Sequence, residues 1–272
     1  MSASTPFAHH CLLASPTMAH ETSLHRMAKS PPLFEVYQWA VAAKSSCWPE
    51  VEDRFLSAMW RFDRPLTGGA GDKSDKQGGK EGFFADLTAL LLENCSGKKL
   101  RGRKTANGLI LPKHSLENSY SRKGTVEILI QTKIAGSPKP GRSTQRRTPT
   151  GRADGVDLDE WVKEAAFKAI DLKAKWAQST VPDGGNPSDL LAWLHRSKPC
   201  VFLFLATRLV DRIDFDRALL SAESASRSVD GVGLVAYESN PSGDGYRACK
   251  VPPHLELDRV LSRVCTALRV LP

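Results

Sequence analysis

His-Ser-Leu-Glu-Asn-Ser-Tyr-Ser-Arg-Lys-Gly-Thr-Val-Glu-Ile-Leu-Ile-Gln-Thr-Lys, residues 114–133, is the stretch on which the fold class turns. It predicts two short strands joined by a turn at Ser121-Arg122-Lys123-Gly124. In the second strand Val126, Ile128 and Ile130 alternate with Glu127, Leu129, Gln131 and Lys133, the period of two expected of a strand. Gln131 and Lys133 therefore point the same way, and Glu117 approaches them from the neighbouring strand. A carboxylate, an amide oxygen and an ammonium group would converge at the end of a sheet. Such a set can hold a divalent metal and activate a water.

The charge distribution supports a polyanionic partner. The 272-residue chain carries +8 overall, but residues 96–152 contain fourteen basic residues opposed only by Glu117 and Glu127. That segment is +12, which leaves −4 for the remainder. Lys98, Lys99, Arg101, Arg103, Lys104, Arg142, Arg146 and Arg147 are the candidate contacts to a phosphate backbone. The plain alternative is a solvated basic loop. With 41% hydrophobic and 25% charged residues the composition is that of an ordinary globular protein, and no apolar run is long enough to span a bilayer. Cys11, Cys47, Cys95, Cys200, Cys249 and Cys265 are scattered without a Cys-x-x-Cys pair, which argues against a zinc knuckle or a secreted disulfide scaffold. Reduced thiols in a cytoplasmic protein are the expectation.

Along the chain, residues 1–30 lack periodicity and predict a disordered tail; Met1, Met18 and Met27 are all possible starts. Residues 31–62 predict an N-terminal helical segment, two helices broken near Trp48-Pro49 with Phe34, Tyr37, Val41, Phe55 and Met59 facing a core. Residues 63–80, rich in Gly, Lys and Asp, predict a flexible linker. They lack the Gly-Lys pair and preceding strand of a phosphate-binding loop. Residues 81–272 then form one α/β domain. A helix over 82–94 ends at a glycine near its C-terminus, Gly97, and a first strand lies within 100–111. After the hairpin comes a basic Pro/Gly/Arg loop over 136–152. Asp157 starts a long helix with Leu158, Trp161, Val162, Ala165, Ala169, Leu172 and Trp176 inward and Lys168, Asp171 and Lys175 outward. A short helix near Trp193, an apolar strand from Cys200, a helix over 214–226, a buried strand over 232–237, an edge strand over 246–251 and a closing helix over 255–268 complete the chain.

From residue 82 to about 206 the order is helix, three strands, helix, strand. With Glu117 on one strand and Gln131-Thr132-Lys133 on the next, this segment resembles the PD-(D/E)XK nuclease superfamily, the restriction-endonuclease-like fold. Glu stands where that motif has Asp, and Gln where it has an acid. The resemblance implies an αβββαβ core with a central mixed sheet flanked by helices. It also implies Mg²⁺- or Mn²⁺-assisted hydrolysis of DNA, of the restriction or DNA-defence type, with a homodimer required for a double-strand cut. Glu117, Gln131 and Thr132 would ligate the metal, Lys133 would orient the attacking water or stabilise developing charge, and Asp86 on the preceding helix would help. Three simpler alternatives stand beside these roles. Glu117 could be a surface acid, Gln131 and Lys133 exposed strand residues, and the whole a nuclease fold that binds nucleic acid without cutting. His114 could act as a base, or simply be a hydrogen-bonded histidine at a strand end. Glu127 is expected to be exposed.

Overall fold

The structure, a computed structural model, describes residues 31–63, 73–136, 155–180 and 197–271. Residues 1–30, the basic loop from 137 onward with Arg142, Arg146 and Arg147, and the expected short helix near Trp193 lie outside them. The elements in order are α1 (Pro31–Ala42), α2 (Glu52–Asp63), α3 (Lys73–Ser96), β1 (Arg101–Ala106), β2 (His114–Arg122) and β3 (Thr125–Ala135). They continue with α4 (Gly155–Thr180), β4 (Cys200–Leu209), α5 (Arg212–Ala225), β5 (Gly231–Ser239), β6 (Tyr246–Cys249) and α6 (Leu257–Val270).

The six strands form one sheet in sequence order, β1-β2-β3-β4-β5-β6. The first three are an antiparallel meander, β3, β4 and β5 run parallel, and β6 closes the far edge antiparallel. The chain is thus α/β with a central mixed sheet flanked by helices and extended at its N-terminal end by helices, as the sequence predicts. Only the parallel pairs need crossovers, and α4 and α5 supply them. Both lie on one face, where Leu158, Val162, Ala165, Ala169, Leu172, Ala218 and Ala222 pack on Leu129, Leu203, Leu205 and Leu234. The other face is covered by α1, α2, α3 and α6, which bring Tyr37, Phe55, Phe84, Leu87, Leu91, Leu261 and Val264 onto Ile128, Ile130, Phe204 and Tyr237. Central β4 is buried on both sides, which explains why its sequence is apolar without alternation.

Several local expectations are corrected, each for a tertiary reason. Helix α3 begins at Lys73, inside the stretch read as linker, and Lys80 is buried in an ion pair with Asp63 at the end of α2. Val41 is exposed; among the described side chains of α1 the buried ones are Val36, Tyr37 and Ala40, and Phe34 lies outside them. The hairpin turns through Lys123 and Gly124, both at positive φ, the two-residue geometry that matches strand twist. The β2–β3 register shifts between Tyr120 and Ser121, which leaves Glu127 as an extra residue on β3. The bulge reverses the alternation there. Val126 packs with the α4 layer while Ile128 and Ile130 face α3, so the three do not share a face. Glu127 is buried rather than exposed, bound to Lys198 and 3.5 Å from Arg122 Nε. Cys95 and Cys265 are joined as a disulfide tying α3 to α6, which departs from the expected reduced thiols for that pair. Among the described residues no helix is long and apolar enough to cross a membrane.

Candidate functional site at the open end of the hairpin

The paired part of β2 and β3 extends from Arg122↔Thr125 to Asn118↔Ile130. Beyond it β2 departs from simple alternation. Asn118 donates its side-chain amide to Ala85 O on α3 (3.0 Å), whereas Leu116, two residues away, is buried with the α4 layer. Glu117 stands at this twist. Its Oε2 accepts from the backbone N–H (2.5 Å) and the hydroxyl (2.7 Å) of Thr132, so the side chain stands in for a ladder bond. Its Oε1 lies 3.4 Å from Lys133 Nζ, and that ammonium sits 5.9 Å from the Trp161 ring centroid on α4.

Gln131 lies wholly inside, at 0% exposure. Its Oε1 accepts from Lys168 Nζ at 3.1 Å, while Nε2 has no partner. Exchanging the two amide atoms would set donor against donor, so the oxygen belongs on Lys168. Lys168, on α4, also donates to Ser115 O (3.1 Å) and lies 3.5 Å from Glu164 Oε1. Burial lowers the Lys168 pKa, Glu164 and Glu117 oppose that shift, and Lys133 adds to it. Two carboxylates and two ammonium groups thus meet where β2, β3 and α4 converge.

Glu117, Gln131, Thr132 and Lys133 are therefore brought together, and Glu164, Lys168 and Trp161 join them. Lys168 was expected on the outer side of its helix but is only 7% exposed. Its four-carbon stem crosses from the helix margin to Gln131, a reach that helical periodicity does not register. An i, i+4 acid–lysine pair, Glu164 and Lys168, was the available sequence signal. Asp86 stands on α3, in the layer on the other face of the sheet. Its charge acts on Tyr37, whose pKa is raised first by burial and then by Asp86 and Glu93. Lys98 and Lys99 lie in the α3–β1 connection, and Arg101, Arg103 and Lys104 on β1, the edge strand beside β2.

His114 is at the start of β2 and is buried. Its Nε2 meets Asp171 Oδ2 at 2.6 Å, the hydrogen-bonded alternative rather than a free base. A second polar cluster, on the other face, had no sequence signal. Asp63 binds Lys80 and accepts from Tyr246 OH (2.7 Å) beside Arg208 and Tyr237, buttressing α2 against β6.

For a divalent metal the donor types are suitable: Glu117, Glu164, the Gln131 amide oxygen and the Thr132 carbonyl are hard oxygen ligands. Among the described residues no three His, Cys, Asp or Glu side chains form a ready cluster, so water would complete the shell. The Gln131 oxygen that a metal would take is held by the Lys168 ammonium. No protein-family model, curated protein or solved structure matches this chain.

Proposed function

We propose that this protein is a metal-dependent endonuclease that hydrolyses DNA phosphodiester bonds at the Glu117–Gln131–Lys133 site, of the restriction or DNA-defence type. The observation that carries this reading is the junction of Glu117 with the Gln131-Thr132-Lys133 run at the open end of the hairpin, with two ammonium groups beside it. Glu117, Gln131, Thr132 and Glu164 would hold Mg²⁺ or Mn²⁺, which supplies charge neutralisation at the scissile phosphate. Lys133 binds a non-bridging phosphate oxygen or orients the attacking water. Trp161 shields that ammonium on one side. Lys168 fixes the Gln131 amide and adds positive charge where phosphorane charge develops. Exposed Lys99, in the connection before β1, and exposed Arg101, on that edge strand, extend a positive surface for the backbone. A double-strand cut would use two copies of the chain.

A second reading has its own support. The Lys168 ammonium already occupies the Gln131 oxygen, and Gln is a weaker ligand than a carboxylate, so the site could grip phosphate without cutting. End-labelled duplex DNA, titrated by fluorescence anisotropy over a salt series and then given Mn²⁺, separates the two. Salt-dependent binding followed by metal-dependent product supports the nuclease. Binding alone supports the non-cutting form, and no binding at low salt removes both.

A further inference from the structure

The loop between β1 and β2 shows three consecutive apolar side chains to solvent: Leu109 is 45%, Ile110 70% and Leu111 42% exposed. It is nevertheless firmly held. Asp171 of α4, whose side chain has no exposure, accepts from the N–H groups of Ile110 (2.6 Å) and Leu111 (3.0 Å) and is bound by His114 Nε2. Its own carbonyl accepts from Leu109 N–H at 3.3 Å. Gly108 is obligatory, because a Cβ there would stand 1.9 Å from Asp171 Oδ2. A buried carboxylate thus fixes an apolar tip that fills no core of its own. Phe167 and Ile170 continue the patch along α4, each 41% exposed.

The position of this patch sets it beside the candidate site. Asp171 is one helical turn beyond Lys168, and His114 adjoins Ser115, whose carbonyl Lys168 binds. The tip is therefore continuous with the candidate site. Its surroundings are basic: Lys113 follows it, and Lys104, paired across the strands with Leu116, faces the same layer. Apolar side chains rimmed by lysines complement duplex DNA, whose bases are apolar on their faces and whose phosphates are anionic.

We propose that residues 109–111 form a wedge, with Ile110 at its point, that inserts between base pairs of duplex DNA held at the Glu117–Lys133 site. This extends the DNA-binding reading above and rests on it. The wedge partly unstacks one base step and fixes the register of the scissile phosphate. Because Asp171 arranges the loop beforehand, little ordering entropy is lost on insertion.

Duplexes carrying 2-aminopurine, bound in EDTA so that no cleavage intervenes, test this directly. Wild-type protein should raise the 2-aminopurine fluorescence on binding. Ile110→Ala should lose most of that rise and bind roughly tenfold more weakly, while keeping the wild-type salt slope. Ile110 is exposed, so thermal unfolding of the variant should match wild type. Binding without a fluorescence rise, or a rise that Ile110→Ala leaves intact, overturns the wedge but spares the DNA-binding reading. A protein dimer that Ile110→Ala abolishes, with DNA binding unchanged, reassigns the patch to a second copy and also overturns it. Failure of wild-type protein to bind duplex at low salt removes both proposals.

Discussion

Asp171→Ala should be among the most damaging single substitutions outside the apolar core. The carboxylate receives three hydrogen bonds, two from backbone N–H groups at 2.6 and 3.0 Å and one from His114 at 2.6 Å, and its side chain has no exposure. Removing it strands a buried imidazole N–H and two amides. Stranding a buried donor costs about 1–3 kcal/mol, so losing all three bonds at once should cost about 3–5 kcal/mol, a fall in Tm on the order of 10 °C for a chain of this size. Asp171→Asn keeps one acceptor and should cost about 1–3 kcal/mol. The carboxyl also has a pH signature. Burial alone would raise its pKa, but the bonds from Ile110, His114 and Leu111 outweigh burial and hold it below the usual Asp value of 3.8. The unfolded chain therefore binds its proton first, so the stabilisation is complete above about pH 3.8 and is lost as pH falls through the lower folded value. Urea unfolding of wild type and both variants, at neutral pH and across the acid range, measures these effects. An Asp171→Ala variant within 0.5 kcal/mol of wild type by that measure, or an Asp171→Asn variant with the wild-type acid profile, would refute the clamp.

Gly108→Ala should mimic part of this loss, because its methyl would collide with Asp171 Oδ2; thermal melts should show it less stable than wild type, with DNA affinity lowered as well. Leu203→Ala, in the strand buried on both faces, should cost about 2–5 kcal/mol in the same unfolding assay. Non-reducing peptide mapping should recover a Cys95–Cys265 linked pair, and reduction should lower stability by about 2–5 kcal/mol, given the 170-residue separation of the two cysteines. Lys168→Met removes a buried ammonium whose pKa burial has lowered, and should weaken DNA binding and flatten its salt dependence by about one counterion.

The fold was legible in the sequence wherever burial leaves a periodic imprint. The two-residue turn after Arg122, the unbroken apolar run of β4, and the stripe Leu257, Val260, Leu261, Val264, Leu268 on α6 all follow directly from residue spacing. What was hidden depends on contacts distant in sequence. Nothing local marks Glu127 as a bulge residue, since the extra position is defined only by its pairing with β2. Lys168, Asp171 and Lys175 read as the outer face of α4; Lys175 is exposed as expected, yet Lys168 and Asp171 are buried because the polar end of each meets a specific distant partner, Gln131 and the 109–111 loop. The candidate site was half visible. Spacing alone placed Gln131 and Lys133 on one strand with Glu117 opposite. The helix contribution, Glu164 and Lys168, required knowing which turn of α4 crosses β3.

The central claim is tested most directly by incubating purified protein with supercoiled plasmid and Mg²⁺ or Mn²⁺ beside Lys133→Ala and Glu117→Ala. Nicked or linear product that needs the metal and disappears in both variants is the predicted result. Product that persists in both variants would contradict the assignment of the hairpin end as the site of cleavage.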